Sequence, residues 1–338
     1  MPSMDIGIDL GTANIMITMD GKGIVLDEPS VVAFNKKTNQ VVAVGTEAYK
    51  MLGRTPEYIV AVRPLSDGVI SDHNMTESMI KEFILKVCGK QLFMPRIIIC
   101  VPSLITDVES RAVVEAARNA GARKVYLIQE PVAALLGAGI DISLPNGNMV
   151  VDIGGGTTDV AVISLNGIVK AASLKLAGNK IDQAIIRYIS NQYKILIGEK
   201  TAETAKKNIT NIFEPTGNLK MTVKGRHLLK GLPESIEISD IDVFNAIEDP
   251  VNDIVNTIKS VLEVTPPELI GDIYTNGIVL TGGGALLTGL DKYITAKTGV
   301  KCYAADDPIS CVARGTGNAF KLLDQLLDGF ESIPLYKY

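Results

Sequence analysis

Two segments in opposite halves of the chain share one order of features. Each has a short apolar strand ending in an aspartate, then a glycine turn with threonine, then a returning apolar strand that ends in another turn. The aspartate is Asp9 in the first segment and Asp152 in the second, about 145 residues later, and Gly11 matches Gly154. Unrelated hairpins would match in this way only by chance, and the separation far exceeds a solenoid period. The pattern predicts an internal duplication, with two similar domains and a cleft between them.

The remaining sequence alternates strands with helices, which predicts an α/β fold with mostly parallel sheets covered by helices. Ile97–Val101 is a near-continuous apolar run, as expected of a central parallel strand. Thr106 and Glu109 form a capping box that predicts a helix from Asp107. Further predicted helices cover Asp182–Ile197, Thr201–Ile212, Ser239–Asp249, Pro250–Val264, Ala285–Lys297 and Ile309–Leu327.

Composition excludes several classes of protein. The 338 residues, 46% hydrophobic and 21% charged, suffice for about two domains with aliphatic cores. A net charge of −5 argues against general nucleic-acid binding, so no nucleic-acid partner is expected. Two histidines and four cysteines without a C-x-x-C pair argue against a histidine-based metal or triad site and favour buried thiols in a reducing compartment. With no signal-peptide pattern and no apolar run of about 18 residues, we expect a cytoplasmic protein that can still lie on a membrane surface.

Three glycine-rich turns, each following an apolar strand, carry the strongest functional signal. We call Asp9–Asn14 the first glycine turn, Asp152–Asp159 the second and Thr281–Ala285 the third. Glycine lets backbone N–H groups approach an anion and admits positive φ, and carboxylates at strand ends suit a hydrated Mg²⁺. No P-loop and no dinucleotide fingerprint is present. The turns are read either as tight hairpins without a ligand or as a clamp for a nucleoside triphosphate with Mg²⁺. In the second reading, Asp9 and Asp152 hold the metal through water.

These motifs extend into a longer pattern that resembles a known family. The chain is similar to the superfamily of actin, sugar kinases and heat-shock chaperone ATPases, and within it to bacterial actins of the MreB type, from about Asp5 to Leu323. The segments that carry the resemblance are IDLGTAN (Ile8–Asn14), GKGIVLDEPSVVA (Gly21–Ala33), VAVGTEAYKMLGRTP (Val42–Pro56), RPLSDGVISD (Arg63–Asp72), ICVPS (Ile99–Ser103), IQEPVAALLGAG (Ile128–Gly139), NMVVDIGGGTTDVAVISLNGIV (Asn148–Val169), TPPEL (Thr265–Leu269), GIVLTGGGALLTGL (Gly277–Leu290) and ARGTGNA (Ala313–Ala319).

The resemblance implies an actin-like (ribonuclease H-like) duplicated fold. Two domains, each with a five-stranded mixed sheet flanked by helices, would surround a nucleotide cleft. Domain I is expected at residues 1–145 plus 310–338, with a small subdomain IB at 33–65. Domain II is expected at 146–309, with a small subdomain IIB at 182–247.

The resemblance also implies site residues for ATP or ADP with Mg²⁺. Glu130 falls where the family places the carboxylate that orients the attacking water; its alternative role is to stabilise the dipole of the helix it begins. Thr157 and Thr158 would contact the γ-phosphate or its water. The expected nucleotide-binding residues are Gly11, Thr12, Ala13, Asn14, Gly154, Gly155, Gly156, Thr157, Lys206, Asn208, Gly282, Gly283, Gly284 and Ala285.

One position departs from the family pattern in a way that bears on the ligand. The family commonly has an acidic residue near position 208 that bonds the ribose hydroxyls, and here that residue is Asn208. An amide accepts a hydrogen bond without the assistance of a charge, so GTP becomes an alternative ligand.

A short loop before the strand at Ile97 is the expected membrane contact. Leu92, Phe93 and Met94 are consecutive large apolar residues, flanked by Lys90 and Arg96. Members of this family insert such a loop into the inner leaflet, where basic flanks suit anionic headgroups. The alternative is that Phe93 packs back on its own domain.

The function implied is an ATP-hydrolysing bacterial cytoskeletal actin that polymerises with copies of itself. It would lie peripherally on the inner face of the cytoplasmic membrane, determine cell shape and be a partner of membrane lipids and membrane morphogenesis proteins. A filament serving helical shape or motility in a wall-less bacterium is an alternative. A small-molecule kinase is a further alternative, although the insertions are small and no third-domain lid is evident. A chaperone is disfavoured because little chain follows the last predicted helix.

Overall fold

The structure is a computed structural model that describes residues 5–89, 95–323 and 330–331. The strands are β1 (Asp5–Leu10), β2 (Asn14–Met19), β3 (Gly23–Pro29), β4 (Val32–Asn35), β5 (Val41–Val44), β6 (Ile59–Val62), β7 (Leu65–Ser66), β8 (Val69–Ile70), β9 (Arg96–Val101), β10 (Lys124–Gln129), β11 (Asn148–Ile153), β12 (Thr158–Ser164), β13 (Gly167–Leu174), β14 (Ile195–Leu196), β15 (Lys220–His227), β16 (Pro233–Ser239), β17 (Ile278–Thr281), β18 (Cys302–Ala304) and β19 (Phe330–Glu331).

The α-helices are α1 (Thr46–Met51), α2 (His73–Cys88), α3 (Asp107–Asn119), α4 (Glu130–Gly137), α5 (Gly178–Tyr193), α6 (Glu199–Ile209), α7 (Asp240–Glu263), α8 (Pro267–Asn276), α9 (Leu290–Thr298) and α10 (Cys311–Asn318). Short 3₁₀ helices lie at Gly283–Leu286, Pro308–Ser310 and Ala319–Leu322.

Two mixed sheets repeat one topology. In the first, β1, β2 and β3 form an antiparallel meander, β9 pairs parallel with β1, and β10 pairs parallel with β9. In the second, β11, β12 and β13 form the meander, β17 pairs parallel with β11, and β18 with β17. The predicted five strands per sheet are therefore present, and the two-residue β19 adds a sixth to the first sheet along β10. The duplication predicted from Asp9 and Asp152 therefore extends to the strand topology of the two sheets.

Small sheets are added to this frame after each meander. The chain from 32 to 62 forms β4, β5 and β6 with helix α1, and the chain from 195 to 239 forms β14, β15 and β16 around helix α6. The core is aliphatic, as predicted, and the central strands β9 and β11 are almost completely buried. The capping box of Thr106 and Glu109 is confirmed at the start of α3.

Several predicted helix boundaries are wrong for identifiable reasons. The predicted break at Pro250 is absent, because buried residues from Val243 to Val261 continue one apolar stripe along α7 and their burial outweighs the lost backbone hydrogen bond. Helix α5 begins at Gly178, not Asp182, because the N–H groups of Gly178 and Asn179 donate to carbonyls of the second glycine turn in place of a side-chain cap. The start of α5 and the continuity of α7 are therefore both set by packing and by contacts with residues distant in the sequence.

The other differences lie near the third glycine turn and the C-terminal end. The helix predicted from Ala285 is a 3₁₀ turn followed by α9, with Gly289 in a left-handed conformation between them. The helix predicted over Ile309–Leu327 is a shorter α10 flanked by 3₁₀ turns; residues 324–327 lie outside the described chain. The shorter elements reflect glycine-rich stretches that carry little helix propensity.

Candidate functional site

One cleft of about 1390 Å³ receives residues from all three glycine turns. Its lining includes most of the predicted site residues, namely Asp9, Gly11, Thr12, Ala13, Asn14, Glu130, Asp152, Gly154, Gly155, Gly156, Thr157, Lys206, Gly282, Gly283 and Gly284. Thr158, Asn208 and Ala285 are not among the lining residues.

The first and second glycine turns touch each other. A Cβ atom on Gly155 would lie 2.6 Å from the Ala13 Cβ, and one on Gly156 would lie 2.6 Å from the Thr12 Oγ1. Neither glycine has positive φ, so of the two properties of glycine named above it is close approach, not left-handed backbone, that these positions use. Glycine is required here because the two hairpins approach each other closely at the base of the cleft.

The third glycine turn is built differently. Gly282 has φ +76°, and a Cβ there would lie 2.4 Å from the Ile153 carbonyl oxygen. Gly283 is exposed, and a Cβ there would meet nothing within 4 Å. Ala285, the last residue of this turn, is buried in the core. The turn therefore presents backbone to the cleft while its last residue packs inward.

Three carboxyl groups form what we call the floor of the cleft: Asp9, Glu130 and Asp152. Burial, followed by the charges of Asp152 and Asp27, raises the pKa of Asp9 to about 8. Burial raises the pKa of Asp152 to about 7, although its Oδ1 accepts a hydrogen bond of 2.6 Å from the Thr281 hydroxyl. Crowded acids without a compensating cation favour their neutral forms, and a divalent cation would relieve this repulsion.

Glu130 begins helix α4 and is 9% exposed. Burial, then the charges of Asp159, Asp152 and Asp9, raises its pKa well above the usual range. Asp159, whose charge adds most after burial, accepts a hydrogen bond of 2.9 Å at Oδ1 from the Ser103 N–H. Glu130 thus lies in the floor, crowded by neighbouring acids.

The two threonines of the second glycine turn lie in different surroundings. Thr157 lines the cleft. Thr158 is fully buried, and its hydroxyl donates 2.7 Å to the Leu176 carbonyl oxygen. The structure therefore gives Thr158 a place in the sheet packing, not at the cleft surface where the predicted catalytic role requires it.

Helix α6 forms one wall. The Lys206 ammonium lies 2.9 Å from an Asp182 carboxylate oxygen and donates 3.0 Å to the Gly178 carbonyl. Burial raises the pKa of Asp182 to about 6 despite this lysine. Glu203, one turn before Lys206, also lines the cleft, whereas Asn208 is exposed elsewhere on the helix. The predicted site missed Glu203, which the i,i+3 spacing from Lys206 could have identified.

Residues from the two small sheets meet across the cleft, at what we call its mouth: Tyr49, Lys200 and Glu203. The Tyr49 hydroxyl donates 3.3 Å to the Glu203 Oε2. The Lys200 ammonium donates 2.8 Å to the Tyr49 carbonyl and lies 4.1 Å from the centre of its ring. Burial raises the pKa of Glu203, but a hydrogen bond and the charge of Lys207 lower it more, so the net shift is downward. Sequence reasoning did not identify any of these three residues.

Arg314 lies on helix α10, close in sequence to Ile309 and Val312, which line the cleft. Its guanidinium donates 3.0 Å to the Asp307 carboxylate and 2.8 Å to the Asp306 carbonyl, and its Nε donates 3.3 Å to the Gly137 carbonyl. It ties helix α10 to the end of α4 and to the chain before α10.

The predicted membrane residues Leu92, Phe93 and Met94 lie outside the described residues. Within the described ranges, none of the helices combines the length and apolarity needed to cross a bilayer. Over the same ranges, no group of three or more histidine, cysteine or acidic side chains is arranged to hold a metal alone. A magnesium ion at Asp9 and Asp152 would therefore take its other ligands from water and phosphate, as Mg²⁺ commonly does.

Comparison with known proteins gives consistent matches over the whole chain. A family model described as MreB/Mbl protein matches residues 3–328. The cell shape-determining protein Mbl of Bacillus subtilis (strain 168) is 50% identical over 327 residues, covering 96% of this chain and 98% of the relative. The cell shape-determining protein MreB of Escherichia coli (strain K12) is 47% identical over 330 residues, covering 96% and 95%. The crystal structure of MreB 5 of Spiroplasma citri bound to AMPPNP matches with a TM-score of 0.91 and 39% identity, covering 96% of this chain and 98% of that chain. The predicted actin-like fold is confirmed.

Proposed function

The chain belongs to the MreB/Mbl family, and from this premise we propose that it is a bacterial cytoskeletal actin that binds and hydrolyses ATP, polymerises with itself and determines cell shape. The observation that carries the proposal is the cleft in which two touching glycine turns meet three crowded carboxyl groups. Backbone N–H groups at the turns suit the phosphates of a nucleotide. The related MreB 5 of Spiroplasma citri was solved with AMPPNP and with ADP.

Mg²⁺ suits the floor of this cleft. Asp9 and Asp152 offer hard oxygen ligands at the ends of matching strands β1 and β11, where burial and neighbouring acids raise the pKa of each carboxyl. The ion would neutralise charge that develops on the phosphates. The residues of the chain do the rest: the first and second glycine turns hold the β- and γ-phosphates, and Gly282–Gly284 approach the sugar and α-phosphate.

Glu130 and Thr157 are the proposed hydrolytic residues. A buried acid at the start of α4 can hold a water molecule in line with the terminal phosphate, so positioning carries most of its effect. Thr157 offers a hydroxyl on the lining of the same cleft. Thr158 has no hydrolytic role here, because its hydroxyl donates to the Leu176 carbonyl inside the sheet.

The sugar end of the ligand is assigned to helix α6. We propose Glu203, with Lys206 below it, as the acidic residue that accepts a hydrogen bond from the ribose hydroxyls, in place of the predicted Asn208. A carboxylate with a lowered pKa is ionised at neutral pH and gives a charge-assisted hydrogen bond. GTP is the alternative ligand, and a competition assay between ATP and GTP measures the preference for the base.

The remaining assignments come from the family and from the sequence. We propose domain I at residues 1–145 plus 310–338 and domain II at 146–309, with the small subdomains at 33–65 and 182–247. We also propose peripheral attachment to the cytoplasmic face of the membrane through Leu92, Phe93 and Met94. Many copies in one filament would compensate for weak attachment of each subunit.

One set of assays tests the proposal. Purified protein with Mg-ATP, with and without anionic liposomes, is sedimented and viewed by electron microscopy while phosphate release is measured. We expect nucleotide-dependent filaments that pellet with liposomes. Glu130→Ala should bind nucleotide but release no phosphate, and Leu92→Ser with Phe93→Ser should lose liposome pelleting while still forming filaments. Monodisperse protein under every nucleotide and lipid condition contradicts the proposal.

A further inference from the structure

Tyr49 is the point at which the two walls of the cleft are tied together. It lies on the short helix α1, which joins β5 to β6 of the first small sheet. Its partners lie about 150 residues later, on helix α6. Tyr49, Lys200 and Glu203 all line the cleft. The contact therefore spans the opening and does not lie within either wall.

Two separate groups of Tyr49 make the bridge. Its hydroxyl donates to Glu203, and its carbonyl oxygen, at the C-terminal end of α1, accepts from the Lys200 ammonium. A cation at a helix C-terminus is favoured by the exposed carbonyls there. The same ammonium lies over the Tyr49 ring, and the Arg63 guanidinium lies 5.9 Å from the ring centre. The ring is thus placed among cations while its hydroxyl meets an anion.

We infer that Tyr49 is a positioning residue that holds the mouth of the cleft closed and so limits the rate at which nucleotide leaves. This inference rests on the proposed function, because it assigns a role in nucleotide retention at the same site. Lys200 and Glu203 are one turn apart on one face of α6, so a single tyrosine engages both. Opening the mouth requires both hydrogen bonds and the cation–π contact to break together.

The bridge also links closure to the ligand. Glu203 accepts the Tyr49 hydroxyl and is the residue proposed to accept a ribose hydroxyl. A carboxylate has about four acceptor positions and can serve both donors. A bound ribose that orders Glu203 would therefore strengthen the contact with Tyr49, and loss of Tyr49 would leave Glu203 less well placed for the ribose.

The test measures dissociation of a fluorescent ADP analogue from the full chain in a stopped-flow instrument, by chase with excess ATP. Tyr49→Phe keeps the ring and the backbone carbonyl but removes the hydroxyl, so we expect dissociation about three- to tenfold faster. Tyr49→Leu also removes the cation–π contact and should be faster still. Tyr58→Phe is the matched control, because Tyr58 is 52% exposed in the turn just before β6, and it should match the wild type.

A double-mutant cycle separates positioning from general weakening. If the hydroxyl acts through Glu203, Tyr49→Phe should accelerate dissociation much less in a Glu203→Gln background than in the wild type. Phosphate release at saturating ATP should change less than the KM for ATP. Unchanged dissociation in both Tyr49 variants, with folding intact by circular dichroism, would overturn the inference.

A readout without nucleotide keeps this inference distinct from the proposed function. In a Cys88→Ser background, Tyr49→Cys with Lys200→Cys should be linked within one chain by a short bis-maleimide, whereas Tyr58→Cys with Lys200→Cys should not. Equal linking of both pairs would overturn the bridge itself. Wild-type protein that binds no nucleotide would refute the proposed function, whichever pair is linked.

Discussion

The floor and the mouth of the cleft both contain buried or partly buried carboxyl groups, but neighbouring positive charge makes the two regions behave in opposite ways. At the floor, burial raises the pKa of Asp9, Glu130 and Asp152, because little compensating positive charge lies nearby. At the mouth, the lysine beside Glu203 more than offsets burial and lowers its pKa. The floor is thus prepared for a cation that the ligand brings, whereas the mouth is neutralised by the chain itself.

Helix α6 connects these two regions, and its adjacent lysines Lys206 and Lys207 differ in how deeply they are buried. The Lys206 side chain is 12% exposed and paired with Asp182, which is equally buried. The Lys207 side chain is 67% exposed and paired with Glu203. A buried ion pair that loses one partner leaves an uncompensated charge, whereas an exposed pair contributes little. The burial of a charged side chain, more than the number of its contacts, should decide how much free energy of unfolding is lost when it is removed.

The largest effect should follow from removing the buried lysine. Lys206→Met is expected to lower the free energy of unfolding by about 3 kcal/mol at pH 8, where Asp182 would be left ionised and unpaired. Lys207→Met, the adjacent control, should cost less than about 1 kcal/mol. Urea unfolding of the nucleotide-free proteins measures both. Equal losses in the two variants would refute the contrast between depths.

The second effect concerns pH. The pKa of Asp9 rises from 3.8 to about 8 on folding, so its folded form binds more protons than its unfolded form between these values. Stability is then highest at low pH and falls as pH rises toward 8. Glu28, Glu109 and Glu203 have lowered pKa values, so their opposite contribution is complete by about pH 5.

Asp9→Asn should remove part of this dependence. Without nucleotide and with EDTA, we expect the wild type to lose about 2 kcal/mol more than Asp9→Asn between pH 5.5 and pH 8.5; the undiscounted shift would give about 3 kcal/mol over this range, but the half-buried side chain stays near water. Addition of Mg-ADP should reverse the sign for the wild type, since a cation favours the carboxylate. Parallel pH curves for the two proteins would contradict the assignment of Asp9 to a crowded floor.

Sequence predicted the floor far better than the mouth. Asp9, Asp152 and the glycines stand in short motifs at strand ends, so local pattern and duplication were enough to bring them together. The bridge from Tyr49 to Lys200 joins residues that no local pattern relates. The start of α5 and the continuity of α7 past Pro250 were missed for the same reason, because tertiary contacts override local capping and propensity.

Asn208 does not line the cleft, and the proposed assignment of its role to Glu203 rests on information that is present in the sequence. Residues three and four apart share a helix face, whereas residues two apart do not. Lys206 was predicted to face the ligand, and this places Glu203 on the same face and Asn208 away from it. The resemblance to a family suggests position 208, whereas helical periodicity favours Glu203 as the proposed ribose contact.

The smallest effect tests this assignment directly. Glu203→Ala should weaken binding of Mg-ADP by about fivefold to tenfold, near 1 kcal/mol, because one charge-assisted hydrogen bond at a partly exposed position is lost. Asn208→Ala, on the other side of the same helix, should change affinity by less than about twofold. Isothermal titration with ADP, 2′-deoxy-ADP and GDP gives the comparison. If the ribose contact is made by Glu203, the penalty for the deoxy analogue should shrink in Glu203→Ala and persist in Asn208→Ala; the reverse pattern would return the role to position 208.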